Sequence, residues 1–363
     1  MESSLSKKKE IIREHHSINK YDFKKPKKIL VVAWAHHSPR SKKIADSLNA
    51  KLFIKGYRSR AEILSIIKYI KLSINTLNVL NKEKPDVIIC QLPPLFLAYS
   101  VLLYKSLTFS PKPDIILDLH TAAFCKPWSY FGFMNKYLYK KALQLIVTNR
   151  QLLSDMDYKY KNKVLILEDA ILDTSITKIE NNISSSYSSH LNHNNDNKRF
   201  KIGVICSFAE DEPISEIIAT TKLIPDVEFF ISGDYNRINK KINIHNAFTI
   251  QNLHFTGFLE YSKFIKIMSS MDAIMVLTKR NKTLLSGCYE AVMLEKPLIT
   301  SNFEVLQQSF NKGTVFVDNS VQQIVNALIK VQNNYTKLEE EIKNLKEEKN
   351  YEWNTKISFL KTV

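Results

Sequence analysis

Short apolar runs rich in Val and Ile alternate with longer segments of helical spacing from Lys28 onward. In the first half of the chain these runs are ILVVAWA, KLFI, DVIIC, DIILDLH, QLIVT and VLILE. After a polar stretch the alternation returns with KIGVICSF, VEFFISG, LHFTG, DAIMVLT, PLITS and TVFV. Because strands that alternate with helices pair in parallel, the pattern predicts an α/β fold with two successive Rossmann-like domains.

Polar and charged segments divide this pattern into domains. Residues 1–27 are basic and lack apolar periodicity, so we expect a flexible arm. Residues 28–178 form the predicted first domain, and residues 200–349 form the predicted second domain. The segment between them, 179–199, is rich in Ser, Asn and His and predicts a linker or an insertion. Apolar side chains recur near helical spacing in residues 350–363 and predict a C-terminal helix that returns to the first domain.

The composition is that of a folded protein with an excess of positive charge. The chain has 363 residues, of which 44% are hydrophobic and 24% charged, and this suffices for two domains of ordinary size. The formal net charge is +16, so the surface should attract phosphates, nucleic acid or anionic lipid. Charge alone does not choose among these partners.

The sequence favours a cytoplasmic protein. No apolar segment follows the basic N-terminus, so we expect neither a signal peptide nor an anchor. Residues 87–104 carry no charge, but Pro93 and Pro94 interrupt them and favour a buried strand followed by a helix. The four cysteines are scattered without a CxxC pair, which favours reduced thiols; they are Cys90, Cys125, Cys206 and Cys288.

The usual nucleotide-binding fingerprints are absent from the sequence. It contains neither GxGxxG nor GxxxxGK[ST], and it has only seven glycines. Their absence argues against a typical dehydrogenase and against a P-loop NTPase. Since ligands of open α/β sheets bind beyond the carboxyl ends of the strands, the residues that follow each strand are the candidates for chemistry.

A distinctive motif occupies the strand ends of the second predicted domain. Ser286 and Gly287 precede the run EAVMLEKPLI, which begins at Glu290, and ISGD, LHFTG and DAIMVLTKR come before them in that order. This arrangement resembles the nucleotide-sugar-binding domain of group 1 glycosyltransferases, whose signature ends in EAMAxGxPV. The resemblance covers most of residues 28–363 and implies the GT-B fold, in which two Rossmann-like domains face a cleft.

The resemblance implies an enzyme that moves a sugar from a nucleoside diphosphate sugar to a hydroxyl of a glycan or a lipid-linked acceptor, in polysaccharide or glycolipid biosynthesis. The nucleotide sugar is a co-substrate, and no cofactor is expected. A nucleotide-sugar epimerase of the same architecture stays open as an alternative. The net charge also suggests a nucleic-acid-binding protein, but the sequence shows neither a zinc module nor an evident helix-turn-helix, so no nucleic-acid partner is expected.

The predicted donor site combines a helix N-terminus with charged side chains. Amides at Ser286 and Gly287 would receive a diphosphate, and Glu290, about one turn further on, would bind ribose hydroxyls. The cations and hydroxyls after the strand DAIMVLT suit phosphate oxygens. The predicted donor-binding residues are Ser207, Lys279, Arg280, Thr283, Ser286, Gly287 and Glu290.

Two features of this donor site stay open. The acidic residues 210–212 either face the diphosphate or cap the helix that starts at Pro213. In much of the family a glutamate lies eight residues before the ribose-binding one, and here that position is Lys282. The donor sugar and the retaining or inverting outcome are therefore not predicted.

The first domain is predicted to hold the acceptor. Asp118 and His120 lie two residues apart at the end of the strand DIILDLH, so their side chains point to the same face. They are the predicted catalytic residues: either group could remove a proton from the acceptor hydroxyl, or the carboxylate could orient the imidazole for that step. The loop after the first strand supplies the predicted acceptor-binding residues, which are His36, His37, Ser38 and Arg40.

No metal site is predicted. Asp155 and Asp157 resemble a metal-binding DxD pair, but their neighbourhood is polar and helical, with no strand directly before it. The cationic loop and the helix N-terminus already neutralise a diphosphate leaving group. The expected enzyme is therefore a metal-independent, hexosyltransferase-like transferase.

A last segment, Lys126–Lys141, interleaves aromatic side chains with lysines. This composition suits an interface with anionic lipid, although a core helix with its lysines outside explains it equally well. Together with the basic arm, it suggests a peripheral enzyme on the cytoplasmic face of a membrane.

Overall fold

The computed structural model describes five stretches of the chain, which are residues 27–56, 62–109, 111–172, 199–237 and 247–362. The predicted basic arm and the predicted linker at 179–199 lie almost entirely outside the described residues. The described residues form two α/β domains, each with its own parallel sheet. The fold class predicted from the apolar runs is confirmed.

The first domain is built on a parallel six-stranded sheet with the order β2-β1-β3-β4-β5-β6. The apolar runs form these strands because β-branched side chains pack well on a sheet that is covered on both faces. The strands are β1 (Ile29–Ala33), β2 (Lys51–Ile54), β3 (Val87–Leu92), β4 (Asp114–Leu119), β5 (Gln144–Val147) and β6 (Val164–Ile166).

Helices cover both faces of the first sheet. The helices of this domain are α1 (Pro39–Leu48), α2 (Glu62–Glu83), α3 (Leu95–Leu107) and α4 (Gly132–Lys141). The apolar side of α1 packs on one face, and α2, α3 and α4 share the core on the other. The uncharged stretch at 87–104 is thus a buried strand and a helix, as predicted. Within the described stretches, no helix is long and apolar enough to cross a membrane.

The second domain repeats this arrangement on a sheet with the order β12-β11-β10-β7-β8-β9. Its strands are β7 (Phe200–Ile205), β8 (Val227–Ser232), β9 (Leu253–Gly257), β10 (Ala273–Val276), β11 (Leu298–Ser301) and β12 (Thr314–Val317). Its helices are α5 (Ile214–Thr221), α6 (Tyr261–Ser269), α7 (Ser286–Met293), α8 (Glu304–Ser309) and α9 (Val321–Asn333). The central strand β7 carries the first loop of this domain to the same sheet edge as β10.

A single long helix, α10 (Tyr335–Thr362), contacts both domains. It begins well before residue 350, where the sequence placed the start of a return helix. Ile342 in its first half joins the core of the second domain. In its last turns, Trp353 joins the core of the first domain and donates a hydrogen bond from Nε1 to Ser47 Oγ at 3.3 Å. This helix therefore packs the two domains against each other.

Glu168, which follows β6 where the chain leaves the first domain, forms a second link between the domains. Its carboxylate accepts hydrogen bonds from Tyr289 Oη at 3.0 Å, from Ser309 Oγ at 2.6 Å and from Lys349 Nζ at 2.6 Å. Burial opposes ionisation of Glu168, but the Lys349 ammonium, the Ser309 hydrogen bond and the charge of Lys356 together outweigh burial and lower the pKa of this carboxyl. Because every partner belongs to the second domain or to α10, the network fixes how the two domains are placed.

Candidate active site

The candidate site lies where the carboxyl ends of the two sheets approach each other. Thr121, the residue after His120, places its Oγ1 3.4 Å from Thr148 Oγ1 at the end of β5. The next residue, Asn149, donates from Nδ2 to the carbonyl oxygen of Lys282 at 3.2 Å. Lys282 belongs to the loop between β10 and α7. Since parallel α/β sheets bind ligands beyond their carboxyl ends, this contact marks the cleft between the domains.

The N-terminus of α7 is built to lie close to the sheet. A Cβ atom on Gly287 would come within 2.9 Å of Val276 Cγ1, so a glycine is needed for the helix to begin this near to β10. The N-cap residue Leu285 supplies no side-chain hydrogen bond to the first turn, and Ser286 is exposed. Uncapped amides and the positive end of the helix dipole favour an anion. This position of Ser286 and Gly287 is compatible with their predicted diphosphate contact.

Glu290 lies one turn further along α7 and is half-buried. Within the described residues its carboxyl group has no hydrogen-bond or ion-pair partner, and burial raises the pKa of Glu290 to about 7. Placing a carboxyl group in this setting costs free energy, because it loses water without gaining a partner. Such perturbed groups concentrate at functional sites, where the ligand completes the interaction. Ribose hydroxyls would complete it here.

Two cations leave β10 beside this helix and stay accessible. The Arg280 guanidinium is 64% exposed and its Nη2 lies 3.0 Å from Asp211 Oδ1. Lys279 Nζ lies 3.3 Å from Glu216 Oε1, and its side chain is also largely exposed. Ion pairs this open to solvent hold their partners weakly, so both cations can turn to a diphosphate. Thr283 lies half-buried in the same loop.

The loop after β7 binds one of its own carboxylates. Glu212 accepts hydrogen bonds from the backbone amides of Ser207 and Ala209, both at 2.9 Å, and from Ser207 Oγ at 3.1 Å. Phe208 between them has a positive φ of 57°, which turns successive amides toward one point, as in the anion-binding backbone concavities of other loops. The side chain of Ser207, a predicted donor contact, is therefore engaged by Glu212.

The acidic residues after Ser207 do not cap the next helix. Pro213 stands at the N-cap of α5, and no side chain binds the first turn there. Instead Glu212 closes the preceding loop, and Asp211 accepts a hydrogen bond from Thr278 Oγ1 at 2.8 Å as well as the Arg280 ion pair. Helix capping, one of the two interpretations left open by the sequence, is wrong for these residues. Asp211 thereby joins the loop after β7 to the loop after β10.

In the first domain, Arg40 is buried and binds only protein groups. Its Nε and Nη2 donate to the Asp118 carboxylate at 2.9 and 2.8 Å. Its Nη1 donates to Asp169 Oδ1 at 2.8 Å and to the Glu168 carbonyl at 3.1 Å, while Nη2 also donates to the Leu167 carbonyl at 2.9 Å. These contacts use all the donors of a guanidinium. The structure therefore gives Arg40 an interior role, against its predicted acceptor-binding role.

Of the other predicted acceptor-binding residues, Ser38 is buried and the two histidines are exposed. Ser38 is buried at the N-cap of α1, where its Oγ accepts from the Ser41 amide and donates to Gln91 Oε1 at 2.6 Å. It is a helix cap rather than an acceptor contact. His36 and His37 are exposed at the end of β1, so their acceptor-binding role stays a prediction.

Asp118 is fully buried beneath this loop. Burial opposes its ionisation, but the Arg40 guanidinium and the His120 imidazole together outweigh burial and hold the pKa of Asp118 well below its usual range. Such a weakly basic carboxylate is a poor proton acceptor, which argues against Asp118 as the general base. Its Oδ2 lies 3.4 Å from His120 Nε2. Of the roles predicted for Asp118, positioning of the imidazole fits this geometry.

The His120 side chain, which follows the end of β4, is partly exposed. Its amide donates to the Leu92 carbonyl at 3.0 Å, which fixes the backbone next to β3. Its Nε2 is buried beside Asp118 and has no hydrogen-bond partner among the described residues, while the side chain as a whole is 28% exposed. An imidazole fixed beside a carboxylate and reachable on its other side can accept a proton from a bound hydroxyl.

The second half of the chain matches a known family. Residues 190–349 match the family model of group 1 glycosyl transferases. This range contains the start of α7, both cations and Glu290. The second domain therefore lies within the matched residues. The resemblance drawn from the sequence motif is confirmed.

Solved structures of low sequence identity share the fold of the whole chain. Sucrose-phosphate synthase from Thermosynechococcus elongatus is 10% identical, with a TM-score of 0.67, and the match covers 92% of this chain and 97% of that one. HepE from Anabaena, solved with UDP-glucose, is 11% identical, with a TM-score of 0.63 and coverage of 92% and 99%. UDP-GlcNAc 2-epimerase from Neisseria meningitidis, bound to UDP-GlcNAc, is 16% identical, with a TM-score of 0.59 and coverage of 92% and 98%. These likenesses show the GT-B fold. No curated protein sequence matches the chain.

One contact of the second domain was not predicted from the sequence. Lys282, which stands where many relatives have a glutamate, reaches the first domain and lies 2.7 Å from Asp155 Oδ1. Asp157, the other half of the DxD-like pair, lies 3.2 Å from Lys159 Nζ. Both aspartates thus face lysines, and no cluster of metal-ligating side chains occurs in the described part of the chain. The only sequence signal for this contact was that Lys282 is a lysine at a position where the family resemblance implies a glutamate.

Proposed function

We propose that this protein is a metal-independent hexosyltransferase that moves a sugar from a nucleoside diphosphate sugar to a hydroxyl of a glycan or a lipid-linked acceptor. One observation carries the proposal: the half-buried, unpartnered carboxyl group of Glu290 lies one turn from the uncapped start of α7, in a group 1 glycosyltransferase domain. A carboxylate and an anion site at this separation suit the ribose and the diphosphate of one nucleotide.

The donor is proposed to be a UDP-sugar. HepE was solved with UDP-glucose, and the Neisseria meningitidis epimerase was solved with UDP-GlcNAc. Their fold matches this chain over most of its length, which supports the same class of nucleotide in the same cleft. The base-binding contacts of this chain would come from the strand ends of its second domain.

Protein cations are proposed to replace a metal ion. When the bond between the sugar and the diphosphate breaks, the nucleoside diphosphate leaves with the bonding electrons and develops negative charge. The amides at the start of α7 and the exposed Lys279 and Arg280 would stabilise that charge. Asp211 would keep Arg280 near the site before the donor arrives.

His120 is proposed as the general base for the acceptor. The acceptor oxygen attacks the anomeric carbon and forms the new glycosidic bond, and its proton passes to the imidazole. Asp118 positions the ring and, through Arg40, connects it to Asp169, which follows β6. The acceptor is proposed to be presented at the cytoplasmic face of an anionic membrane, where polysaccharide and glycolipid precursors are assembled. The net charge of +16 supports that location.

Donor binding provides the first test. Thermal stability of the purified protein is measured with UDP-, GDP-, CMP- and dTDP-sugars, because a ligand that binds only the folded state raises the melting temperature. We expect stabilisation by a UDP-sugar and its loss in the Glu290→Ala variant. Release of UDP on addition of a lipid extract, unchanged by a chelator, would then support transfer. Absence of stabilisation by every nucleotide would contradict the proposal.

Epimerisation is the second candidate, because the fold also matches a UDP-GlcNAc 2-epimerase. An epimerase changes the sugar of its bound nucleotide without an acceptor. Incubation with UDP-GlcNAc alone, followed by analysis of the sugar, separates the two activities. A new epimer in the absence of any acceptor would favour the second candidate over sugar transfer.

A further inference from the structure

The outer layer of the first domain exposes an unusual number of large apolar side chains. Helices α2, α3 and α4 lie side by side on one face of the sheet, and their inward residues form the core. Several outward residues are nevertheless apolar: Ile66 is 65% exposed and Phe133 is 81% exposed. We name this surface the outer apolar face, and its residues are Ile66, Ile70, Ile74, Leu103, Phe133 and Tyr137.

These residues form one surface because neighbouring helices are locked side by side. Ser100 Oγ on α3 donates to Ser73 Oγ on α2 at 2.9 Å. Tyr99 on α3 stacks on Tyr137 of α4, with ring centroids 6.4 Å apart. On α2 the exposed isoleucines recur every four residues, so they form a stripe along a single side of the helix. The apolar groups thus continue from one helix to the next. Contiguous exposed apolar surface of this kind marks an interaction site.

Lysines dominate the charge of this layer. The sequence has no acidic residue between positions 63 and 82, between 87 and 113, or between 119 and 154. Lysines occur in all three stretches, and the exposed ones are Lys71, Lys82, Lys112, Lys126, Lys136, Lys140 and Lys141. Two of them lie over exposed aromatic rings, Lys126 over Tyr130 and Lys141 over Tyr137. One carboxylate meets these lysines, since Lys136 Nζ lies 3.9 Å from Asp157 Oδ2. Aromatic and aliphatic groups flanked mainly by lysines are typical of surfaces that meet anionic lipid.

The surface also lies next to the cleft. In a parallel α/β layer each helix runs back against the strands, so its N-terminal end lies at the carboxyl edge of the sheet. Ile66 is near the start of α2, and Phe133 is near the start of α4. His120, the proposed base, follows β4 at that same edge. A membrane in contact with this end of the layer would bring a lipid-linked acceptor to the mouth of the cleft.

We propose that the outer apolar face is the surface by which the protein docks on an anionic lipid membrane. The inference rests on the proposed function only for the identity of the acceptor, since the docking surface stands on exposure and charge. A second copy of the chain is a poor occupant, because two such faces would bring an excess of lysines against an equal excess of lysines. The basic segment at residues 1–27 cannot neutralise the lysines either.

One aromatic residue of the segment predicted to meet lipid does not belong to the outer apolar face. Within Lys126–Lys141, Trp128 is half-buried and its ring packs 6.0 Å from Phe96 and 6.2 Å from Phe131, measured between centroids. Trp128 therefore belongs to the core side of this segment, and Tyr130, Phe133 and Tyr137 are its aromatic residues available to lipid. The isoleucine stripe of α2 supplies the remaining apolar contact, which the sequence analysis did not anticipate.

Vesicle co-sedimentation of the full-length protein tests the proposal. We expect binding to vesicles that contain phosphatidylglycerol, weak binding to pure phosphatidylcholine, and release as salt rises. The double variant Ile70→Ser/Phe133→Ser should bind roughly tenfold more weakly or worse, because two apolar side chains no longer leave water. The matched control is Leu223→Ser, which removes an equally exposed apolar side chain from the second domain and should bind as the wild type does.

Three results would overturn the proposal. They are absence of binding to anionic vesicles at low salt, equal loss of binding in the control variant, and full retention of binding in the double variant. Dimerisation through the same residues, seen as a halved mass of the double variant in light scattering, would assign the face to a second copy instead. Stabilisation by a UDP-sugar is measured on every variant, so a protein that binds nucleotide but not vesicles contradicts the docking surface and leaves the proposed function standing.

Discussion

The two edges of the cleft use their charged residues in opposite ways. At the strand ends of the first domain, Arg40 and Asp118 are buried and bind each other and the interdomain segment. At the strand ends of the second domain, Arg280 and Lys279 are exposed, and the Glu290 carboxyl lacks a partner among the described residues. The sequence shows similar residue types at both edges. Burial and pairing decide that the first edge holds the protein together and the second edge meets a ligand.

This difference separates two kinds of mutational effect. A change in the buried cluster of the first domain should lower the free energy of unfolding, because it leaves an unpaired charge in the interior. A change in the second domain should weaken ligand binding with little loss of stability. His120 is the exception in the first domain, since it lies at the border of the buried cluster and is still reachable from the cleft.

Removal of Arg40 should have the largest effect. Arg40→Ala leaves the Asp118 carboxylate buried without its main partner and also frees the Asp169 and Leu167 contacts. We expect the free energy of unfolding to fall by about 3–5 kcal/mol, measured by denaturant titration. In the double variant Arg40→Met/Asp118→Leu the loss should be smaller, because no charge is left unpaired. Equal stability of Arg40→Ala and wild type would show that the cluster is not structural.

Replacement of His120 should have the next largest effect. It should change turnover without changing stability or donor affinity. His120→Ala should lower kcat by roughly 10²- to 10⁴-fold, as expected for the loss of a general base, and leave donor affinity nearly unchanged. Asp118→Asn should differ by also lowering stability, since the buried carboxylate pairs with Arg40. Measurement of kcat and of donor-dependent melting temperature for both variants distinguishes the two roles. Wild-type turnover in His120→Ala would remove it from the mechanism.

Much of the fold could be predicted from the sequence, because the signal is local. Runs of β-branched residues between helical segments define the parallel strands, and Ser286 with Gly287 marks the start of α7 where the structure places it. Periodicity and helix start signals depend on residues close together in the chain. The same holds for the break at Pro93 and Pro94.

The pairings at the site could not be predicted, because they join distant positions. Arg40 looks like a ligand-binding residue until Asp118 and the 167–169 segment surround it. The conformation of the loop at Phe208 could not be predicted either. A positive φ is most often adopted by glycine, but here a phenylalanine adopts it. The neighbouring amides consequently point toward Glu212. Burial of one side of Trp128 depends on Phe96, which lies on another helix.

Replacement of Glu290 should have the opposite effect on stability to replacement of Arg40. It should raise the free energy of unfolding and weaken nucleotide binding. Burial raises the pKa of Glu290 to about 7, so between its unfolded pKa and about 7 the folded state holds an extra proton, and stability falls as pH rises. Glu290→Gln removes this dependence and should raise stability at pH 8 by about 1–2 kcal/mol. Nucleotide affinity of the variant should fall by roughly tenfold, because a charged hydrogen-bond acceptor is lost.

The pH dependence of nucleotide binding checks the same assignment. Ribose hydroxyls donate to an ionised carboxylate, so wild-type affinity should increase from pH 6 to pH 8, as Glu290 loses its proton near its pKa of about 7. The Glu290→Gln variant should show a flat profile over this range. Calorimetric titration with UDP at several pH values measures both. A flat wild-type profile would mean that Glu290 does not contact the nucleotide.

The smallest effect is expected where the two edges touch, at Lys282 and Asp155. Their side chains are each about one-third exposed and 2.7 Å apart. A pair open to solvent contributes about 0–1 kcal/mol, so Lys282→Gln and Asp155→Asn should each lower the free energy of unfolding by less than about 1 kcal/mol. If the pair only links the domains, both variants change the donor KM equally, and a double-mutant cycle shows the coupling. A larger rise in KM for Lys282→Gln alone would place this lysine on the donor, at the position where many relatives have glutamate, and the second domain would then supply a third cation to the diphosphate.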